Sequence, residues 1–427
     1  MMVTLNKIHF TNNGRRIEYD YNVDSSVAKY FNKKAMFFSE YDVRVDQVAE
    51  SITVIPFLAN FAPICWFAGI ELVVNEADQD FLDALASIKD ELSKYYPQLK
   101  ILNGKISAER VVKNTIGGDK SVMLFSGGVD AFATYFRHYE ETPELVTIQG
   151  ADIELTDTKQ WAEVQAFNAN EPILRQNEKH YVVSNIRDFY TYDVDLLIDK
   201  SWWGNIQHGL ALVCSLAPLS AVQKYKSIYI ASTRSIHMEF NQWGSMPETD
   251  EKISWAGINV IHDGFELKRQ DKVDQIVNSL NELNAKTTIR VCYSDLKENL
   301  NCSRCEKCVR TIFGIMLAGG NPNDYGFEVD SGIYNLIDQT VSRGFKTRGA
   351  QFFWTEILQK TENNTNFFYF SDYDDELAKI KILQQKIKKE SESDIVQPGS
   401  IKKFKLLIGN RFPKLFSYYL KVRRSFN

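Results

Sequence analysis

No uncharged apolar run in this chain reaches the roughly eighteen residues that a membrane-crossing helix needs. The nearest approach, Ile52 to Val74, is interrupted by Pro56, Pro63 and Glu71, and no single helix is expected across it. The N-terminus lacks the basic flank, apolar stretch and small-residue cleavage site of a secretory signal, so a cytoplasmic location is expected. Cysteine is scarce: six in 427 residues is no disulfide framework. Basic charge is not in excess either. The net charge is -5, and the eight Lys or Arg of residues 401–427, which contain no acid, leave -13 for the rest. An acidic body excludes a broad nucleic-acid surface. There is no internal repeat, and no Gly-x-x-x-x-Gly-Lys-Ser/Thr phosphate loop.

What is present describes a globular protein, 44% apolar and 25% charged, long enough for more than one domain. Residues 1–115 form an accessory α+β region, with short strands at Lys7–Phe10, Arg16–Tyr19 and Met36–Phe38, an exposed strand at Tyr41–Val45, and an amphipathic helix over Phe81–Leu92. From 116 to 320 strands alternate with helices, which predicts an α/β fold with a mainly parallel, doubly wound sheet. Its strands are Val122–Phe125, Leu145–Gln149, Tyr181–Asn185, Ile228–Ser232 and Ile289–Cys292. Its clearest helices are Asn205–Val222, kinked or ended near Pro218, and Lys272–Leu283. Residues 321–400 are a helical extension, with helices at Gly349–Lys360 and Glu376–Glu390 and a polar linker from Ser391 to Ser400. The basic, aromatic tail 401–427 suits either an anionic membrane surface, which would make the protein peripheral at the inner membrane face, or a helix docked on the acidic body.

Two stretches carry chemistry. In the first, the strand ending at Leu124 and Phe125 runs into Ser126-Gly127-Gly128-Val129-Asp130 and then a helix. Two glycines let the backbone turn sharply and approach a ligand, and the helix start offers N–H groups and a dipole that favour an anion. Ligands of open α/β sheets collect beyond the carboxyl ends of the strands, which puts Ser126–Asp130, Gln149-Gly150 and Ser232-Thr233 on one rim. An ordinary strand-to-helix turn has the same composition.

The second stretch is Cys292, Cys302, Cys305 and Cys308, four of the six cysteines within seventeen residues. Two-residue spacings let a tight turn present neighbouring thiolates to one ion, and four free thiols together would otherwise invite oxidation. Zinc is the expected ion, an iron–sulfur cluster the competitor. With four protein ligands the ion is structural, and it would hold Lys307 and Arg310 nearby. Cys65 and Cys214 lie among apolar residues and are packing residues.

The strand, Ser-Gly-Gly-x-Asp and helix together resemble the PP-loop of ATP pyrophosphatases. The pairing with Cys292 through Cys302-Ser303-Arg304-Cys305-Glu306-Lys307-Cys308-Val309-Arg310, and Gly204-Asn205 at a helix start, resembles the 7-cyano-7-deazaguanine synthases of queuosine biosynthesis from about Ser121 to Gly320. The resemblance implies an adenine nucleotide alpha hydrolase-like fold with a zinc-binding insertion. It also implies an ATP-dependent C–N ligase, in which a carboxylate attacks the α-phosphorus and ammonia then gives an amide or nitrile, with AMP and pyrophosphate released. Ser126, Gly127 and Gly128 would meet the departing pyrophosphate. Asp130 would brace the loop or hold Mg2+ with the phosphates. Gln149-Gly150 would face the adenine, Lys307 and Arg310 would neutralise phosphate charge, and Asn205, Ser232 and Thr233 would line the substrate.

Departures accompany the likeness. Residue 131 is Ala where the family loop has Ser, and Met246-Pro247-Glu248-Thr249-Asp250 stands where the family has a segment of the type Tyr-Pro-Asp-Cys-Arg. The expected substrate is therefore 7-carboxy-7-deazaguanine or a related carboxylate in a retargeted pathway, such as polysaccharide or phage-defence machinery, and a homo-oligomer is expected. An RNA-thiolating PP-loop enzyme and a decayed nucleotide-binding scaffold are the alternatives; the first wants a basic face and catalytic cysteines near the loop, which are not evident. His208 reads as a core or rim histidine, and His237, His262 and Glu239 as polar loop residues or proton-transfer aids. Trp202-Trp203 reads as packing or as a base-stacking surface.

Overall fold

The computed structural model describes residues 1–32, 36–198, 200–238, 243–292, 300–362 and 364–393. The basic tail 401–427, most of the 391–400 linker and Glu239 lie outside the described residues.

Eleven strands form one mixed sheet. They are β1 Met2–Thr11, β2 Arg16–Val23, β3 Phe37–Tyr41, β4 Glu71–Asp78, β5 Lys105–Val112, β6 Lys120–Leu124, β7 Glu144–Gln149, β8 Lys179–Ser184, β9 Tyr225–Ala231, β10 Ser254–Trp255 and β11 Ile258–Asp263. The order is β10-β11-β9-β6-β7-β8-β3-β2-β1-β4-β5. Neighbours from β11 to β8 run parallel, as do β1-β4-β5, and the antiparallel run β8-β3-β2-β1 joins the two blocks. Residues 1–115 thus supply β1–β5, which continue the same sheet through the β3–β8 pairing.

The parallel strands show why both faces must be covered. Along β6, Val122 and Met123 are both buried, and they belong to different hydrophobic clusters. Val122, Val146, Val182, Ile228 and Val260 pack with the helices Ile55–Ala68, His208–Cys214 and Ala217–Gln223. Met123, Leu145 and Tyr229 pack with Val129–Arg137, Arg269–Glu282 and Glu306–Leu317, and beyond them with Arg348–Thr361 and Tyr373–Ser391. Strands buried on both sides read as continuous apolar runs, the pattern of parallel sheets.

Two expectations are corrected. Ile289–Cys292 is not a strand: Ile289 donates to Tyr325 O and Arg290 to Gly127 O, single bonds to two different partners rather than a ladder. The further parallel strand is β11, where Ile258, Val260 and His262 alternate with more open positions. The strand at 37–41 ends at Tyr41, whose buried hydroxyl donates to Ser215 O, and Asp42–Val45 follows without strand pairing. As expected, no single helix spans 52–74: Glu50–Thr53 and Ile55–Ala68 are separate helices and β4 begins at Glu71, although Pro63 itself lies within the second helix, where every residue from Ile55 to Phe67 is buried and packing overrides the proline penalty.

The other expected helices are present, with 79–95 covering Phe81–Leu92. The expected helix from Asn205 opens as a π-turn, Trp203–Gln207, and breaks at Ser215-Leu216 just before Pro218. This 203–223 stretch is the one described helix long and apolar enough to cross a membrane, and it is mostly buried in the fold.

Candidate functional site at the head of β6

Within the parallel block β11-β9-β6-β7-β8 the first strand in sequence is central. The chain therefore winds outward in one direction to β7 and β8, then in the other to β9 and β11. The crevice at such a switch point, beyond the carboxyl ends of the strands, is where ligands of open α/β sheets bind. The loop after β6 opens into that crevice.

The loop is pinned before it turns. Phe125 donates its N–H to Val146 O at 2.8 Å and accepts from Thr147 Oγ1 at 2.8 Å, and its ring packs edge-on against Phe132. Gly127 then adopts φ +73°, where a side chain is strained, and a Cβ there would lie 3.3 Å from the Phe167 ring. Gly128 is the N-cap of the helix Val129–Arg137, without a side-chain cap, and its N–H reaches Ser126 Oγ at 3.4 Å. Ser126 is exposed. The result is an open turn on the positive end of a helix dipole.

Cations surround this turn. Both Asp130 oxygens are engaged, Oδ2 by Arg269 at 2.9 Å and Oδ1 by Lys272 at 3.2 Å. Burial alone would raise the Asp130 pKa, but Arg269 and Lys272 outweigh it and hold the carboxyl below the usual carboxylate range. Buried Lys272 also donates to Ser232 O, so Asp130 ties the loop to the end of β9 and to the helix Arg269–Glu282.

Arg290 lies against the loop, its backbone N–H bonded to Gly127 O at 2.7 Å. Arg310 Nε is 3.1 Å from Glu306 Oε1, and burial pulls the guanidinium pKa down to about 10. The Nη1 atoms of Arg290 and Arg310 are buried and meet no acceptor among the described residues. Lys307 is exposed at the rim, yet protein around its ammonium, then Arg310 and Arg269, lower its pKa. Arg269, Lys272 and Arg290 were not singled out from sequence. The one available signal was that Arg269 and Lys272, three apart, share a helix face.

Other expected residues divide. Buried Gln149 is spent on its own loop, donating to Glu154 O and Leu155 O. Gly150, at φ +99°, lets the backbone pass so close to Ser184 O that a Cβ would lie 1.7 Å from it. Asn205 donates back to Ser201 O at 2.9 Å. Ser232 is buried with its Oγ on Arg234 O, while Thr233 is exposed. In the 246–250 segment, Asp250 is turned inward, accepting from Ser245 Oγ at 2.6 Å and pairing with His262 Nδ1 at 2.8 Å. His208 lies between Trp203 and Trp243, and burial lowers its pKa. Trp202 is buried edge-on against Phe67, the packing alternative, and His237 is exposed.

The four cysteines converge. Cys292 Sγ is 3.9 Å from Cys305 Sγ, Cys302 Sγ is 3.9 Å from Cys308 Sγ, and all four sulfurs lie within 4.8 Å of one another. Four thiolates around zinc, with bonds of about 2.3 Å, stand about 3.8 Å apart in a regular tetrahedron. The cluster therefore could hold a metal ion such as zinc, and Cys305, at the N-cap of Glu306–Leu317, gains from the helix dipole as a thiolate. Cys65 and Cys214 are buried elsewhere. Glu144, Glu178 and His180 are also close enough to share an ion. There the positive charge is already supplied by Lys120, 2.6 Å from Glu144, and by an imidazole set between carboxylates. No protein-family model, curated protein or solved structure gives a significant match to this chain.

Proposed function

We propose that the chain is an ATP-dependent ligase of the PP-loop type, similar to 7-cyano-7-deazaguanine synthases, that adenylates a small carboxylate and passes the acyl group to ammonia. The observation that carries this proposal is a pair of buried donors, Arg290 Nη1 and Arg310 Nη1, that meet no acceptor among the described residues and lie beside an open glycine turn. A buried unpaired charged donor is unfavourable by several kcal/mol on the scale of about 1 to 3 per hydrogen bond, so an anion belongs there. The strand order, with β6 central in a doubly wound block, supports a nucleotide in the crevice.

In this scheme a substrate carboxylate oxygen attacks the α-phosphorus and the bond to the β-phosphate oxygen breaks. Pyrophosphate departs with the negative charge. Ser126 Oγ and the N–H groups of the turn donate to it, and Arg290, Arg310 and Lys307 neutralise it, stronger in the transition state than before it. Ammonia then adds to the acyl carbon, AMP leaves with the bonding electrons, and a proton is lost to give the amide; a nitrile requires removal of a further water. Mg2+ would arrive with the triphosphate, since both Asp130 oxygens are already engaged. Zinc on Cys292, Cys302, Cys305 and Cys308 would be structural, stiffening the segment that carries Arg290 and the helix that carries Lys307 and Arg310. Residues 246–250 lack the Cys and Arg of the family segment and Asp250 is buried against His262, which favours a different carboxylate.

The test is pyrophosphate release from ATP and Mg2+ across a panel of carboxylates, with and without ammonia. Stimulation by one carboxylate, without a requirement for ammonia, is expected. A second possibility, nucleotide binding without turnover, is favoured by Ala131 in the loop and would show as ATP binding with no carboxylate stimulating release.

A further inference from the structure

The helix Arg348–Thr361 belongs to the C-terminal extension, outside the stretch that carries the family resemblance, yet it is built into the wall of the site. Lys360 pairs with Asp274 at 2.7 Å, and Gln270 N–H donates to Glu356 Oε2 at 3.2 Å. Trp354 Nε1 donates at 3.0 Å to the Glu306 oxygen that also faces Arg310 Nε. These contacts fix the helix against both helices that carry the cations.

Between those anchors Phe353 is only half-buried, so it adds little to the core. Its ring meets two cations: the Arg310 guanidinium carbon is 4.4 Å from the ring centroid and that of Arg269 is 5.1 Å. An aromatic face attracts a guanidinium electrostatically and leaves its in-plane N–H donors free for an oxyanion. Arg269 is already paired with Asp130 and Arg310 with Glu306, and the shared ring adds an attraction common to both. A space of about 20 Å³ lies among Arg269, Arg310, Phe353 and Glu356.

We propose that Phe353 is a positioning residue of the phosphate-binding site, its ring holding Arg269 and Arg310 ready to receive the pyrophosphate end of a nucleotide, which makes the C-terminal extension part of that site. The proposal rests on assigning the site to ATP. Arg269 is fixed at one side by Asp130 and at the other by the ring, so the ring links the loop to Arg310. Aromatic character is what the position requires, more than volume.

Calorimetric titration of the full chain with magnesium pyrophosphate, and separately with ATP, tests this in the wild type and in Phe353→Leu, Phe353→Tyr and Phe353→Trp. Phe353→Leu is expected to weaken pyrophosphate binding by about tenfold, while Tyr and Trp stay within about twofold of wild type, as loss and retention of a cation–π pair require. Equal binding by wild type and Phe353→Leu overturns the role of the ring and leaves the ATP site standing. If the wild type binds neither pyrophosphate nor ATP, the assignment of the site falls and this proposal falls with it. Should Phe353→Leu unfold at the assay temperature, Phe353→Trp decides: a folded Trp variant as weak as one lacking an aromatic sinks the proposal.

Discussion

Arg290 donates its backbone N–H to the carbonyl of Gly127 at 2.7 Å, and Cys292, two residues on, is one of the four clustered sulfurs. The glycine turn and the cysteine cluster are thus joined by a single short stretch of backbone. Asn301, next to Cys302, strengthens the link, donating to Ile289 O at 2.8 Å and accepting from Val291 N–H at 3.0 Å.

Metal removal should therefore reach the turn. Chelation, or Cys305→Ser, is expected to weaken ATP binding by at least about tenfold and to lower the melting temperature together, because structural four-thiolate sites contribute directly to folding. Metal content by elemental analysis, calorimetry with ATP and a thermal melt on the same sample check it. Stoichiometric loss of the ion with unchanged ATP affinity would show that the two sites are independent.

Asp130 is the counter-charge for Arg269 and Lys272, the latter 3% exposed. Asp130→Asn leaves a buried ammonium with a weaker partner, and removing one member of a buried ion pair typically destabilises by about 3 to 5 kcal/mol. A drop in the denaturation midpoint is expected, with Lys272→Met restoring part of it in the double variant. If Asp130→Asn is as stable as wild type, the bracing role assigned to it is wrong.

Much of this arrangement was legible in the sequence, and what was not has a physical cause. The glycine turn and the cysteines announce themselves because their chemistry requires those residue types at short spacings. β6 to β9 were visible as apolar runs. The β3–β8 pairing that carries β1–β5 into the same sheet was not, since antiparallel contact between residues over 140 apart leaves no local pattern. Gln149 looked like a rim residue by position, but its amide is used inside its own loop. Arg269 and Lys272 could not be singled out, because the carboxylate they meet lies far away in sequence.

At the opposite ends of the strands, His180 should make stability depend on pH. Burial would lower its pKa, but Asp42 at 3.2 Å and Glu144 at 3.2 Å outweigh burial and raise it to about 9. Burial would likewise raise Glu144, and His180, Lys120 and Tyr225 instead lower it to about 2. A raised histidine stabilises fully below its unfolded value, about 6.5, and loses that contribution as pH rises toward 9. A lowered carboxylate stabilises above its unfolded value, 4.5, and loses it as pH falls toward 2. The network is therefore strongest between these two unfolded values. His180→Gln should flatten the decline in melting temperature between neutral pH and pH 9, and an unaltered slope in that variant would remove His180 as its source.

Gly209 has no room for a side chain. It is the second residue of the helix His208–Cys214, beside the buried Asp250–His262 pair, and a Cβ there would sit 2.1 Å from Asp250 Oδ1. Its N–H donates to Gly244 O at 2.6 Å, and Gly244 in turn donates to Gly204 O at 2.8 Å, so the backbone around it has no room to retreat. Gly209→Ala must displace the carboxylate, breaking the bonds to Ser245 and His262 and leaving buried polar atoms without partners. The expected loss is on the order of 2 to 4 kcal/mol, the range for overpacking combined with a broken buried hydrogen-bond network. Asp250→Ala removes the obstruction, so Gly209→Ala added to Asp250→Ala should cost much less than Gly209→Ala alone. Denaturant titration of the four proteins measures that coupling, and strictly additive losses would mean that the methyl group meets something other than Asp250.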